Sequence, residues 1–120
     1  MIAALLTPAV AYGERLHPEK AYQQAWCDRN DGVTEVVLSG GSRVDCLTET
    51  HAVEVEFANK WQEAVGQALY YAKKTGREPG IIIIKETPED QKYLGRLIYT
   101  IKKNHPITQI WVITPNELTD

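Results

Sequence analysis

Asp45, Glu54 and Glu56 lie close together in the stretch SRVDCLTETHAVEVEFANKW, residues Ser42 to Trp61. Two carboxylates and a backbone carbonyl make an all-oxygen donor set of the kind Mg²⁺ or Mn²⁺ takes, with water and a substrate phosphate completing the shell. An ion held that way polarises a phosphoryl oxygen and lowers the pKa of a bound water. The surrounding residues alternate as half-buried strands do. Whether the acids meet therefore depends on how those strands pair.

The elements follow from periodicity and punctuation. Glu19 to Arg29 reads as a helix opened by Pro18, where a missing N–H does no harm, and stopped by Asn30-Asp31-Gly32. Thr34 to Ser39 is a strand, Gly40-Gly41 a hairpin turn, and Arg43 to Thr48 the returning strand. After Glu49-Thr50, Ala52 to Ala58 is a third strand with Val53, Val55 and Phe57 on one face and Glu54 and Glu56 on the other. The period then changes to that of a helix, Asn59 to Thr75, capped by Asn59 and ended by Gly76. Its apolar stripe is Trp61, Ala64, Val65, Ala68, Leu69 and Ala72. Gly80 to Lys85 is an apolar strand that implies burial on both faces. Pro88 to Asn104 is a third long helix and Thr108 to Thr114 a last strand. The order αβββαβαβ implies an α/β fold, a mixed sheet flanked by helices.

A four-residue turn from Thr48 to His51 sets Leu47 opposite Ala52, Cys46 opposite Val53 and Asp45 opposite Glu54, with Arg43 opposite Glu56 two steps on. Directly opposed side chains have Cβ atoms about 4.5–5.5 Å apart. Like charges there repel unless one is protonated or a cation sits between them. Two readings stay open. One is a cation site built from Asp45, Glu54 and the Val55 carbonyl. The other is a solvated face on which Arg43 pairs with Glu56 and the acids are tolerated.

At these residues the chain resembles the PD-(D/E)XK nuclease superfamily, with Asp45 matching its Asp and Glu54-Val55-Glu56 its D/E-x-K triplet. Gln67-Ala68-Leu69-Tyr70-Tyr71 looks like the Q-x-x-x-Y element of the exonuclease-like and resolvase-like branches. The resemblance runs from about Glu19 to Lys85. It implies a restriction-endonuclease-like fold over residues 1–120 as one domain, with hydrolysis of phosphodiester bonds in DNA. Asp45, Glu54 and Val55 would hold Mg²⁺ or Mn²⁺, and Gln67 and Tyr71 would contact the substrate. The triplet's Lys is Glu56 here, which leaves Glu56 and Lys60, four residues on, to position or activate the water. Glu19 is placed as the family's first-helix acid, with Glu14 just upstream, and Glu35 is a further outer ligand if a three-residue loop in the hairpin that follows it, rather than Gly40-Gly41 alone, puts it on the face of Asp45. If neither Lys60 nor Glu56 substitutes, the alternative is a catalytically weak or inactive module that binds DNA or protein.

The net charge of −3 argues against a large non-specific nucleic-acid footprint but not against contact with one phosphodiester through a metal. Cys27 and Cys46 read as two small buried thiols in a reducing compartment. Ile2 to Ala11 is apolar but too short to span a membrane and lacks a preceding cation. It reads as a packed arm or helix, with cytoplasmic residence expected and an exported form as the alternative. The small size suggests a homodimer or a place in a larger complex. His17, His51 and His105 read as loop or turn residues, and Trp61 as a core anchor. Lys73, Lys74, Arg77, Lys102 and Lys103 read as solvated helix-end cations.

Overall fold

Residues 14–118 are described in the computed structural model. The apolar segment from Ile2 to Ala11 lies outside them. The first helix, α1, spans Glu19–Arg29, with Pro18 at its N-cap, an acid in its first turn and Arg29 in its last. Three strands follow, β1 (Val33–Val37), β2 (Arg43–Leu47) and β3 (His51–Phe57). After a 3₁₀ turn over Ala58–Lys60 come helix α2 (Trp61–Thr75), strand β4 (Glu78–Ile84), helix α3 (Asp90–Asn104) and strand β5 (Gln109–Ile113). The strands form one sheet in chain order, antiparallel from β1 to β3 and parallel from β3 to β5. The element order is the one the sequence predicts.

Helices cover both faces of this sheet, and β4 shows why its isoleucines run without a break. Ile82 and Ile84 join Tyr22, Trp26, Val53, Val55 and Phe57 in the core under α1. Ile81 and Ile83 join Ala64, Ala68, Leu94, Leu97 and Ile101 under α2 and α3. Alternate residues of a strand serve opposite faces, so a strand buried on both sides carries no polar position. On α2, Ala64, Ala68 and Ala72 are all buried at four-residue spacing, which lets the helix lie close to the sheet. Gly76 closes it in the left-handed region, at φ 73°, and its N–H donates to the Ala72 carbonyl at 2.9 Å.

Several expectations change. Asn59 does not cap α2: it lies in the 3₁₀ turn, and its Oδ1 accepts from Arg15 at 2.7 Å. The first hairpin has a three-residue loop rather than a Gly40-Gly41 turn. Val36 pairs with Val44, Val37 with Arg43, and Leu38 N–H donates to the Ser42 carbonyl at 2.8 Å. Cys27 and Cys46 are not free thiols but a disulfide between α1 and β2, both buried. Gly32 passes against it, and a Cβ there would lie 2.5 Å from the Cys46 sulfur. The predicted Arg43–Glu56 pair is absent among the described residues, because Arg43 reaches Glu35 at 3.5 Å instead.

Candidate active site

The β2–β3 register places Cys46 opposite Val53 and Leu47 opposite Ala52, as turn length predicts. At the next step the ladder opens and side chains take over. Asp45 N–H donates to Glu54 Oε2 at 3.2 Å, and Val55 N–H donates to Asp45 Oδ2 at 2.9 Å. Each acid thus binds the backbone of the other's strand. A residue in an antiparallel pair turns its N–H and C=O to the same neighbour. With its N–H turned to Asp45, Val55 presents its carbonyl to the same gap.

Glu54 is 3% exposed, and burial together with the charge on Asp45 pushes its carboxyl up to about 9. Asp45 is also raised by burial, against the stabilising Val55 N–H. The two side chains also interact with each other, which opposes the rise at Asp45 and adds to that at Glu54. A Glu54 carboxyl that keeps its proton relieves the repulsion that the sequence implies.

The other acids gather around this pair. Glu19, at the start of α1, is raised to about 7 by burial and by the charges of Glu56 and Asp45. Glu56 is half-buried and raised by burial, with its Oε1 accepting from Phe57 N–H at 3.2 Å. Lys60 is exposed, yet its charge favours the ionised forms of both Glu19 and Glu56, so it stands on the acidic side. The Tyr71 hydroxyl is raised by burial and then by Glu54 and Asp45. Gln67 lies one turn earlier on α2 and is exposed. The three-residue loop puts Glu35 at the position opposite Asp45, as that loop length requires. Glu14 is exposed and enters none of these interactions.

The sequence reading missed Gln23. It is 4% exposed in α1, and its amide donates to Glu35 Oε2 at 2.7 Å and to the Asp45 carbonyl at 3.0 Å. A polar residue four positions before Cys27, on the buried side of the helix, was the available signal. His51 is also more than a turn residue. It opens β3, packs edge-on against Trp111 at 5.4 Å and lies 3.6 Å from Glu78, away from the acidic pair. Lys74 and Arg77 are not simply solvated, since they donate to the carbonyls of Ser39 and Thr48. Trp61 is partly buried against the α2–α3 core.

The donor set is oxygen alone. Among the described residues, no three His, Cys, Asp or Glu side chains converge to hold a metal by themselves. Two carboxylates and a carbonyl nevertheless suit Mg²⁺, which keeps several waters and takes few protein ligands. Among the described residues no helix is long and apolar enough to cross a membrane. Comparison with protein-family models, curated proteins and solved structures returns no match.

Proposed function

We propose that this protein is a divalent-metal-dependent nuclease of the PD-(D/E)XK type that hydrolyses phosphodiester bonds in DNA. The observation that carries the reading is the buried Glu54 carboxyl facing Asp45 across a gap in the sheet, each fixed by the other strand's N–H. Asp45, Glu54 and the Val55 carbonyl would hold Mg²⁺ or Mn²⁺. Bound there, the ion supplies Lewis acidity at the phosphoryl group and a more acidic water. Glu56 keeps Oε2 free of the Phe57 bond and takes the proton of the attacking water. Lys60 offsets charge on the phosphate in the transition state. Tyr71, beside the acids, and Gln67, one turn away, contact the substrate strand. The test is divalent-dependent cleavage of single-stranded, duplex and branched DNA, which Asp45→Ala should abolish. Unchanged cutting by that variant refutes the assignment.

A second reading is favoured by the Glu at the triplet's Lys position. The domain would then be a binding module whose acidic pair is only structural. Calorimetric titration with Mn²⁺ separates the two: a module shows no heat of binding, and Glu54→Ala leaves the titration unchanged.

A further inference from the structure

The β1–β2 ladder is interrupted at one step. Thr34 pairs with Cys46 and Val36 with Val44, but the intervening Glu35 and Asp45 do not pair. Glu35 sits at φ 55°, in the left-handed region that a non-glycine residue seldom adopts. Such outliers persist only where the surroundings hold them, and they collect at functional sites. Asp45 therefore keeps its register but makes no ladder pair on either side, with its N–H on the Glu54 carboxylate and its carbonyl on the Gln23 amide.

From this geometry we infer that Gln23 is a positioning residue for the cation site, fixing the Asp45 backbone and the kinked Glu35 from a single amide nitrogen. The inference rests on the nuclease reading above. The amide NH₂ carries two hydrogens, and both are used, at 2.7 and 3.0 Å. The opposite end of Glu35 is held by Arg43, whose guanidinium lies 3.5 Å from Oε1. The disulfide pins α1 to β2 beside the same contact, joining the residue four places after Gln23 to the one after Asp45. Gln23 touches neither carboxylate of the proposed ligand pair. It acts through the position of Asp45.

The test is Gln23→Met, which keeps the length of the side chain and removes both donors. Calorimetry with Mn²⁺ alone should show affinity weaker by roughly 10–100-fold, as when groups that orient a metal ligand are lost. Cleavage at saturating Mn²⁺ should stay near the wild-type rate, because the reacting groups are intact. A lower thermal midpoint with unchanged Mn²⁺ affinity would show a merely structural role and overturn the inference. If Gln23→Met does not fold, Gln23→Asn carries the same test, with the amide withdrawn by one methylene. A wild-type protein that binds no Mn²⁺ removes the nuclease reading and this inference together. A wild-type protein that binds and cuts, with variants that match it, removes only the role of Gln23.

Discussion

Glu54 holds its proton up to about pH 9 in the folded protein, because it is buried and faces the Asp45 charge, whereas a solvated Glu releases it near 4.5. The folded state thus binds a proton that the unfolded chain loses across that window. Stability from this group is fully present below about pH 4.5 and declines as pH rises toward 9. Glu19, raised to about 7, acts with the same sign over a narrower range. The metal-free protein should therefore melt several degrees lower at pH 8.5 than at pH 5.5, and Glu54→Gln should flatten the slope. Thermal scans at fixed ionic strength decide it, and a midpoint that rises with pH contradicts the assignment. Cation binding must displace the Glu54 proton, so Mn²⁺ affinity should increase across the same window and binding should release protons. Titrations in buffers of different ionisation enthalpy measure that release.

Disulfide and glycine contacts govern the elements. The Cys27–Cys46 bridge spans 19 residues and ties α1 to the strand that carries Asp45. Closing a loop of that length should stabilise the fold by about 3 kcal/mol. Urea unfolding of the Cys27→Ala, Cys46→Ala double variant should show a loss of that order, and unchanged stability argues against the bridge. In β4, a Cβ on Gly80 would lie 2.7 Å from the Trp111 ring and 3.2 Å from Val53. Gly80→Ala should cost about 1–3 kcal/mol through overpacking and shift tryptophan emission, since Trp111 also packs against Trp26 at 4.8 Å. At this scale much was legible. Alternation and the length of the Thr48–His51 turn set the β2–β3 register, and the isoleucine run announced a strand covered on both faces. The loop of the first hairpin was ambiguous by one residue, which moves Glu35 between faces. Neither the disulfide nor the reach of Gln23 could be read, because both depend on where α1 lies across the sheet. Periodicity describes a face of a helix, not its position over a neighbour.

For the molecule as a whole, the charge balance is slightly negative, yet cations stand near the acidic pair. Lys20 favours the ionised form of Asp45, Lys60 that of Glu19 and Glu56, and Arg43 holds Glu35. If DNA is the substrate, its grip is local, and the logarithm of affinity should fall with the logarithm of salt at a slope of about −2 to −3. Fluorescence anisotropy with a labelled duplex measures it, and a slope near −8 would indicate a far broader basic surface. Asp45 and Glu54 also sit in one hairpin, while α2, β4, α3 and β5 follow later in the chain. Local contacts close early, and parallel crossovers pay their loop entropy late. The ion-binding gap should thus exist in the rate-limiting ensemble for folding. Divalent ions would then accelerate refolding more than they retard unfolding, and stopped-flow chevrons recorded with and without Mn²⁺ should separate on the folding limb.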